Sequence, residues 1–493
     1  MNTFVATAKT IANQTTTENG APAYKSTGNA LVDAFGGIGA LRDAPPSRVQ
    51  SVFANAFSED KLLAVKLLFY ARNIRGVGLG ERKTFRVLLK YLAKTNPDIV
   101  KKNIKNIPFY GRWDDMYTLI GTPCENEMWD VIRTQWFDDI EKYLAGEPVS
   151  GMAKWLKSNN TSSKESKKLG ALTASELGVS NKVYRTCLSK LRGRIDVVEK
   201  KMCDDKWDDI QYENVPSRAM MIYRNAFERH SDNFQKYIED LKAGRAKVNS
   251  SALYPYDIFE KMGLHVEYWG NEGFSFDDYD EILEQQWKSL PDYVQEGANF
   301  LVMADTSGSM IGRPMATSTS LAVYFAERNH GPFKNLFMTF SSFPEFVELK
   351  GETLCDKVNQ IKPIVASTNL ERAFDLVLQT AISGNVKDED MPKALIVISD
   401  MEIDKYQNSC YWNFLDSMKT RFKYAGYAMP NVVMWNVESR HNCYLATSQY
   451  PGVQFASGSS PSVFKSLIDN VGKSAYEVVM NTLNDPIFDR VVI

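Results

Sequence analysis

The sequence predicts a two-part protein, in which an all-α domain of helical repeats precedes an α/β domain with a parallel sheet. Residues 31–290 place apolar side chains three and four positions apart, which is the spacing of amphipathic helices. After Pro291, short and almost continuously apolar runs alternate with helical stretches, as in parallel sheets buried on both faces. A chain of 493 residues also exceeds what one hydrophobic core usually organises.

The helical half shows repeated amphipathic segments separated by short turns, and no long run alternates at period two. We therefore predict a curved array of helical repeats over residues 31–290, preceded by a polar, Thr-rich N-terminal arm at residues 1–30. Residues 157–168 are rich in Ser, Asn and Lys and are expected to form an exposed loop. The predicted helices cover residues 59–74, 81–94, 128–144, 182–202, 218–243 and 279–290.

The α/β domain is predicted over residues 297–493, with the domain boundary between residues 290 and 297. Its alternating strands and helices indicate a sheet covered on both faces by helices. The predicted strands cover residues 300–304, 336–340, 394–398 and 432–437. The predicted helices cover residues 317–328, 370–382, 412–424 and 462–470.

Charge is distributed unequally along the chain, although the formal net charge is only −2. Residues 1–250 contain 39 Lys+Arg and 29 Asp+Glu, whereas residues 251–493 contain 19 and 31. The first half therefore carries a formal charge of +10 and the second half −12. We expect the first half, and not the second, to attract polyanions.

Several functional classes lack their usual sequence signals. Residues 1–20 show no charged region followed by an apolar one, and no apolar run approaches the roughly 18 residues of a membrane span. The six cysteines lie far apart without a CxxC pair, which predicts a reducing, cytoplasmic location. The four histidines lack the spacing of zinc hydrolases and of Ser-His catalysis, so we expect a protein that is not an enzyme.

Oxygen-bearing side chains follow two predicted strands and precede one predicted helix of the α/β domain. The first strand runs into DTSGSM, where a carboxylate and two hydroxyls are spaced two residues apart. Ligands of open parallel sheets bind in loops beyond the carboxyl ends of the strands. Oxygen ligands without sulfur or imidazole favour a hard cation, so we predict Mg²⁺, with Mn²⁺ or Ca²⁺ as alternatives. The predicted metal ligands are Asp305, Ser307, Ser309, Thr368 and Asp400.

The pattern Asp305-x-Ser307-x-Ser309, with Thr368 and Asp400 downstream, resembles the metal-ion-dependent adhesion site of von Willebrand A domains. That family has a Rossmann-like α/β fold, and the resemblance covers roughly 180 residues. It implies a metal ion with one open position, which a carboxylate from a partner protein or from elsewhere in the chain would fill. A metal site that only holds its own loops together is the alternative interpretation.

Two basic segments stand out in the helical half. Residues 61–112 contain thirteen Lys+Arg and two acidic residues, and residues 154–201 contain twelve and four. The first segment is centred on RNIRGVGLGERKTFR, where a Gly-rich turn precedes a helix whose first amides are free to approach a phosphate. The turn lacks a Gly-Lys-Ser/Thr ending, so nucleotide hydrolysis is not expected. A solvated helix surface is the alternative interpretation, and Phe85, Tyr91 and Tyr184 are expected in the core.

The sequence RNIRGVGLGERKTFR is followed by IPFYGRWDDMYTL and VPSRAMMIYRNAF. Together these three motifs resemble the TROVE module of Ro autoantigens and of related bacterial and phage proteins that fuse it to a von Willebrand A domain. The resemblance covers about 460 residues and implies a ring of HEAT-like repeats closed by the A-type domain. It also implies small or misfolded RNA on the outer surface and single-stranded ends in the hole. The resemblance assigns no role to the acidic segment 272–284. The predicted RNA-binding residues are Arg72, Arg75, Arg82, Lys83, Arg86, Arg112, Lys182, Arg185 and Arg192.

Two functions from different classes remain open at this point. The first is a cytoplasmic RNA-binding scaffold, a ribonucleoprotein component whose partner is single-stranded or small structured RNA. The second is a metal-dependent protein-protein adhesion or assembly module, in which the helical half is structural. Salt separates them, because phosphate binding weakens steeply with ionic strength, whereas capture by a metal is abolished by a chelator.

Overall fold

The structure is a computed structural model that describes residues 3–267, 273–277, 279–340, 343–362, 368–406 and 414–493. The N-terminal half is mainly helical. Its elements are α1 (Thr3–Asn13), β1 (Gln14–Thr16), β2 (Pro22–Tyr24), α2 (Ala30–Gly37), α3 (Pro46–Glu59), α4 (Lys61–Arg72), α5 (Arg82–Thr95), α6 (Pro97–Asn103), α7 (Asn106–Tyr110), α8 (Glu125–Leu144), α9 (Met152–Trp155), α10 (Lys164–Glu176), α11 (Asn181–Arg194), α12 (Val198–Cys203), α13 (Ser217–His230), α14 (Asp232–Lys242), α15 (Pro255–Lys261), β3 (Leu264–Glu267), β4 (Gly273–Phe276) and α16 (Glu281–Lys288).

Local capping signals explain where many of these helices begin. The side chain of Asp60 accepts a hydrogen bond from the amide of Leu63, 2.9 Å away, at the start of α4. Ser180 caps α11 in the same way through the amide of Val183. Such a cap satisfies an amide that has no partner within the helix. Ser163 caps α10, so the loop predicted at residues 157–168 ends at Ser163 and a helix begins at Lys164.

Two predicted helices are each divided into two. The helix predicted at residues 182–202 ends at Arg194, because Asp196 adopts a positive φ of 58° that a right-handed helix does not allow. The helix predicted at residues 218–243 breaks at Ser231, whose backbone is extended. Each break depends on the backbone conformation of a single residue, and the spacing of apolar residues does not predict that conformation.

The helical half is not entirely α-helical, because it contains two short antiparallel strand pairs. Strand β1 pairs with β2, and β3 pairs with β4 through Leu264 opposite Phe276. Each strand has only three or four residues, too few for a period-two pattern to be distinguished from a helical one. The acidic segment 272–284 begins at Glu272 and includes Asp278, which both lie outside the described residues, and its last part forms α16.

The C-terminal half contains a sheet with helices on its faces. The predicted strands and helices all appear, with shifts of a few residues, and the part of predicted helix 412–424 before Phe414 lies outside the described residues. The elements are β5 (Phe300–Asp305), α17 (Arg313–Arg328), β6 (Leu336–Phe340), β7 (Glu345–Glu348), α18 (Leu354–Val358), α19 (Leu370–Ser383), β8 (Ala394–Ser399), α20 (Phe414–Tyr424), β9 (Asn431–Asn436), β10 (Val453–Ser457), α21 (Val463–Ile468) and α22 (Ala475–Leu483).

The six strands of this sheet follow the order β10-β9-β8-β5-β6-β7. All neighbouring pairs are parallel except β6 and β7, so the sheet is mixed and has one antiparallel edge strand. The sequence did not predict β7, three of whose four residues are solvent-accessible, or β10. Strands β5 and β8 are buried at every position, which explains their continuous apolar sequence.

The N-terminal segment is attached to the C-terminal half. The amide of Tyr24 donates a hydrogen bond to the carbonyl oxygen of Tyr444 at 2.8 Å, and Ala21 bonds to Ile403. Ala21 and Ala23 are buried. Helix α2 packs against β10. The part of the predicted arm that follows residue 16 is therefore integrated into the structure through contacts with residues about four hundred positions away.

The C-terminal segment, in turn, packs against the helical half. The fully buried ring of Phe488 stacks on Tyr110, with centroids 5.6 Å apart, and meets Tyr70 edge-on. The hydroxyl of Tyr110 donates to the carbonyl oxygen of Ile487 at 2.5 Å, and Asn106 bonds to the carbonyl oxygen of Arg490 at 2.9 Å. The two halves therefore hold each other at both ends of the chain.

Two further observations concern the oxidation state of the cysteines and the ability of the helices to span a membrane. The cysteines that the structure describes are free, and Cys410 lies outside the described residues. Within the described ranges, every helix is too short or too polar to cross a bilayer.

We expect Phe488→Ala to lower the free energy of unfolding by about 3–5 kcal/mol, because it leaves a cavity between Tyr70 and Tyr110. Denaturant unfolding of the full chain measures the loss. Val492→Ala is the control, since that side chain is 43% exposed and its removal should change stability by less than about 0.5 kcal/mol. Equal losses in the two variants would contradict the importance of this contact.

Candidate metal cup and basic cleft

The strand order places one end of the sheet in position to bind a ligand. The chain continues from β5 to β6 on one side, whereas β8 leads to β9 on the other, so the order reverses between β5 and β8. Ligands of open α/β sheets bind beyond the carboxyl ends of strands at such a reversal. Asp305 is the last residue of β5 and Asp400 follows β8 directly. The parallel register pairs Ala304 with Ile398 and thereby brings the two carboxylates together.

The first loop is held in a defined arrangement by short hydrogen bonds. One carboxylate oxygen of Asp305 accepts from the amide of Ser307 at 2.9 Å, and the other accepts from the Ser399 hydroxyl at 2.6 Å. The hydroxyls of Ser307 and Ser309 lie 3.1 Å apart. We call the predicted ligand set of Asp305, Ser307, Ser309, Thr368 and Asp400 the metal cup.

The other two loops of the cup are also joined to each other. The amide of Asp404 donates to the carbonyl oxygen of Thr368 at 2.9 Å, and both Thr368 and Asp400 are buried. Ser367, which precedes this threonine, lies outside the described residues. Met401 has a positive φ of 64°, an unfavourable conformation for a methionine, and strain of this kind is concentrated at functional sites.

Electrostatics in the cup are unfavourable without a cation. Asp305 is fully buried, and burial together with the neighbouring charge of Asp400 raises its pKa to about 7, against the effect of the hydrogen bonds from Ser399 and Ser307. Asp400 accepts a hydrogen bond on Oδ1 from Glu402, but within the described ranges its buried Oδ2 has no hydrogen-bond partner. Two adjacent buried carboxylates with an unsatisfied oxygen fit a hard divalent cation, which would neutralise both.

A guanidinium group borders the cup. Arg440 donates a hydrogen bond to the carbonyl oxygen of Ser309, and its Nη2 lies 3.6 Å from Oδ2 of Asp400. It also approaches Glu438 at 3.8 Å and Glu18 at 3.7 Å. The sequence did not indicate this residue, because it lies 40 positions beyond Asp400 in a segment without a recognisable motif.

A second group of potential metal ligands is formed by three residues from different segments of the chain. Oxygen and nitrogen atoms of Glu18, Glu402 and His441 fall within 4.8 Å of one another. The buried carboxylate of Glu402 accepts a hydrogen bond from the amide of Glu18 at 2.6 Å and lies 3.1 Å from Nδ1 of His441. Sequence reasoning missed this group because His441 lies 39 residues from Glu402, and Glu18 lies 384 residues from it.

A large open cavity, of about 1690 Å³, lies between the helical half and residues of the C-terminal half. We call it the basic cleft. Tyr293, Ser460 and Ser462 line it from the C-terminal half. Among the described residues, two acidic ones, Glu199 and Asp204, line it against eleven basic ones, which makes it a site for a polyanion on charge alone. The basic residues are Arg42, Arg72, Arg82, Lys83, Arg112, Lys154, Arg185, Lys190, Arg192, Lys200 and Arg218.

The structure divides the nine predicted RNA-binding residues into two groups. Three lie outside the lining of the cleft: Arg75, Arg86 and Lys182. Arg75 contacts the carbonyl oxygen and the ring of Phe109 instead. The six that line the cleft are Arg72, Arg82, Lys83, Arg112, Arg185 and Arg192.

Several of these basic residues have structural partners. Asp115 is fully buried and accepts hydrogen bonds from Nε of Arg72 at 2.8 Å and from Nε of Arg86 at 2.7 Å. Arg192 donates to the carbonyl oxygens of Ala153 and Leu156, at 2.9 and 2.8 Å. These guanidinium groups hold helices together, because a buried charge without partners is costly.

Other basic residues of the cleft are available to bind an anionic ligand. Within the described ranges, no carboxylate pairs with Arg82, Lys154, Arg185 or Lys190, and Arg82, Arg185 and Lys190 are exposed. Partial burial and the nearby charges of Arg112 and Arg86 lower the pKa of Arg82, which reflects a concentration of positive charge. Such groups carry the attraction for an anionic ligand.

The sequence did not single out the aromatic residues of the cleft. Trp155 is half-buried, and the guanidinium carbon of Arg112 lies 4.1 Å from its ring centroid. Tyr223, Tyr254 and Tyr256 also line the cleft. By contrast, Phe85 and Tyr184 are fully buried, as the sequence predicted for the core.

The Gly-rich turn forms one wall of the cleft. A Cβ added at Gly80 would lie 1.9 Å from the hydroxyl of Tyr254, and Gly80 has a positive φ of 65°, so this position requires glycine. The carbonyl oxygen of Gly78 accepts a hydrogen bond from Ser462 at 3.1 Å. Helix α5 then begins at Arg82 without a capping side chain, which leaves its first-turn amides without a side-chain acceptor.

We expect Asp115→Ala to destabilise the helical half by about 3–5 kcal/mol, because Arg72 is left buried without its charge partner. Thermal or denaturant unfolding measures the effect. Asp130→Ala is the control, since Asp130 forms an exposed ion pair with Arg133 that should contribute no more than about 1 kcal/mol. If both substitutions cost the same, Asp115 does not organise the wall of the cleft.

One curated relative and one solved structure illustrate the similarity of this chain to known proteins. The chain is 28% identical over 525 aligned positions to the uncharacterized protein L728 of Acanthamoeba polyphaga mimivirus, covering 98% of this chain and 89% of the relative. The crystal structure of the Deinococcus radiodurans Ro (RSR) protein superposes with a TM-score of 0.44 at 15% identity, covering 88% of this chain and 92% of that one.

Family comparisons divide the chain near residue 300. Residues 299–485 match the family described as a domain of unknown function, DUF7788. Residues 17–134 and 149–300 match the family described as a domain of unknown function, DUF2828, and these residues are more than half of the chain. The chain therefore belongs to the DUF2828 family.

Proposed function

We propose that this protein is a non-catalytic RNA-binding scaffold that holds single-stranded RNA in the basic cleft and a divalent metal ion, Mg²⁺, in the metal cup. The observation that carries the proposal is the excess of basic over acidic residues around one cleft between the two halves. The proposal extends to small or misfolded RNA with unpaired ends, in a cytoplasmic ribonucleoprotein.

The RNA class follows from the chemistry of the cleft. Arg82, Arg185 and Lys190 provide charge for phosphates, and first-turn amides of α5 add backbone donors. The exposed part of the Trp155 ring offers a surface on which a base stacks. A single strand presents phosphates and unpaired bases together, whereas a duplex hides its bases, so the cleft favours single strands.

The motifs of the helical half support the same interpretation. RNIRGVGLGERKTFR and VPSRAMMIYRNAF, which resemble the TROVE module of Ro autoantigens, both contribute residues to the cleft lining, including Arg72, Arg82 and Arg218. We propose that helical repeats and the C-terminal half together form a ring and that the cleft is its hole. A strand end inside such a hole would be recognised by charge and shape.

We propose that the C-terminal half is a von Willebrand A-type domain. Two features support the assignment. When the strands of this half are numbered along the chain, from β5 as strand 1 to β10 as strand 6, their order in the sheet is 3-2-1-4-5-6, with an antiparallel edge strand. The DTSGSM loop lies where this order reverses. Asp305 and Asp400 would hold Mg²⁺ with the hydroxyls of the cup, and a bound ion would attract an anionic ligand from a partner. The fold of the chain holds these oxygen atoms close together in a buried position.

We expect Asp305→Ala to abolish binding of Mg²⁺, because it removes the only carboxylate of the first loop. Metal content after dialysis and calorimetric titration measure the loss. Asp390→Ala is the control, since Asp390 is an exposed carboxylate outside the cup, and it should retain the ion. Full occupancy in Asp305→Ala would reject the metal assignment.

We expect Arg82→Glu with Arg185→Glu to weaken binding of single-stranded RNA by about 3 kcal/mol or more, because each reversal deletes a charge-assisted contact and adds repulsion. The slope of log affinity against log salt should fall by about 1.4, as expected for two lost contacts with a single strand. Anisotropy titrations with a labelled single-stranded RNA at several salt concentrations measure both quantities.

The control for the RNA experiment is Arg229→Glu with Lys236→Glu, two exposed bases outside the cleft lining. It changes the net charge equally and should leave affinity almost unchanged. Equal affinity and slope for wild type and the Arg82/Arg185 variant would show that the cleft bases form only a solvated surface. Binding of a protein partner that a chelator abolishes, with no RNA binding, would favour the adhesion module instead.

A further inference from the structure

A second, smaller cavity lies beside the metal cup. Its volume is about 230 Å³, and residues 39–45, 313–314 and 437–440 contribute to its lining. At about 30 Å³ per water molecule, it holds roughly eight waters. It therefore has room for a single tetrahedral anion with some water, but it is smaller than the roughly 300–1,000 Å³ of cavities that bury larger organic ligands. We call it the arginine cavity, because Arg42, Arg48, Arg313 and Arg440 line it.

Two of the acidic residues in the lining are already neutralised. Arg42 binds Glu81 through two hydrogen bonds of 2.8 and 2.7 Å. Asp43 forms an ion pair with Lys83 at 3.1 Å. Once these pairs are set aside, Glu438 is the remaining acidic residue among the described residues of the lining, against three arginines, and it lies 3.8 Å from Arg440.

Arg48 carries a charge that its neighbours do not cancel. Its guanidinium donates to the carbonyl oxygens of Ser439 and Arg440, each at 2.6 Å, and to the side chains of Ser439 and Asn442. All these acceptors are neutral. Burial accordingly lowers the pKa of Arg48, against the raising effect of more distant groups such as Tyr444. A nearby anion would relieve this cost.

Arg313 lines the same cavity, and one of its hydrogen-bond donors is unsatisfied. Its Nη2 is buried and, within the described ranges, lacks a hydrogen-bond partner, while the guanidinium carbon lies 4.4 Å from the ring centroid of Tyr256. A buried N–H without an acceptor is costly, and few occur in folded proteins. Arg313 also begins α17, a helix of 16 residues without a capping side chain, so the positive end of its dipole faces the cavity.

Arg440 connects the arginine cavity to the metal cup. It lines the cavity, donates to the carbonyl oxygen of Ser309 and lies 3.6 Å from Asp400. A divalent cation in the cup would compete for the charge of Asp400 and so remove one of the three carboxylates, with Glu18 and Glu438, that surround this guanidinium. A cation and a guanidinium on adjacent sides favour a ligand with several negative oxygens.

We propose that the arginine cavity is a binding site for a phosphate group, with Arg313 and Arg440 as the residues that bind it and Arg48 as a fixed positive charge. The phosphate is either free phosphate or the phosphorylated end of an RNA strand held in the basic cleft, and the second source rests on the proposed function. The two cavities share Arg42, so a strand end in the cleft lies next to the arginine cavity.

The first test is a calorimetric titration of the full chain with inorganic phosphate in the presence of Mg²⁺. We expect saturable binding that weakens at least tenfold in Arg313→Gln and in Arg440→Gln. Arg229→Gln, an exposed arginine of α13 outside both cavities, should bind as wild type does. Unfolding curves identify a variant that fails to fold, and if Arg313→Gln does so, Arg440→Gln still decides. Absence of binding, or equal binding in all variants, would overturn the proposal, since phosphate would then at most be ligating the metal.

The second test separates the two sources of phosphate. Short single-stranded RNAs with phosphorylated and with unphosphorylated ends are compared on wild type, Arg440→Gln and Arg229→Gln. A preference for the phosphorylated end that Arg440→Gln abolishes supports the RNA end as the ligand. Phosphate binding without any such preference supports the site with free phosphate as its ligand. Phosphate binding without RNA binding keeps the site and rejects the proposed function of the cleft.

Discussion

Parallel pairing of β5 with β8 is the constraint on which the C-terminal site depends. The register brings Ala304 opposite Ile398, so that Asp305 and Ser399 meet at the end of the sheet and Asp400 follows immediately. Both strands are buried on all sides, which makes a slip in their register very unfavourable. Two carboxylates that would otherwise repel each other are therefore held together by the hydrophobic core, and the raised pKa of Asp305 reflects that cost.

The same division between fixed and available charge appears in the helical half. Asp115 binds Arg72 and Arg86 in a buried network, and burial of Asp114 is outweighed by Arg112, Arg86 and Lys157, so that its pKa is lowered. These pairs set the shape of the cleft wall. The exposed bases on that wall remain free of carboxylate partners within the described ranges and provide the attraction. The basic residues of one segment thus serve two purposes. Those beside a buried carboxylate stabilise the fold, and those without such a partner attract an anionic ligand.

The two halves depend on each other because the ends of the chain cross between them. Residues 17–24 bond to loops around Ile403 and Tyr444 of the C-terminal half, and the ring of Phe488 packs on helices α4 and α7. Arg48 adds a link from α3 to the segment that carries Arg440. Residues of both halves therefore line the basic cleft and the arginine cavity, and Arg440 connects the arginine cavity to the metal cup.

The sequence by itself determined the order of a helical half and an α/β half, most strands and helices of the latter, and the positions of Asp305 and Asp400 at the ends of two strands. These features follow from local periodicity and from residue types at strand ends, which short segments encode. It did not determine which arginines are available: Arg75 and Arg86 resemble Arg82 in the sequence, and only contacts with Phe109 and Asp115 separate them. The partners that settle such questions lie tens to hundreds of residues away, so the tertiary structure alone decided the lining of both cavities, the strand β10, and the place of Arg440 beside Asp400.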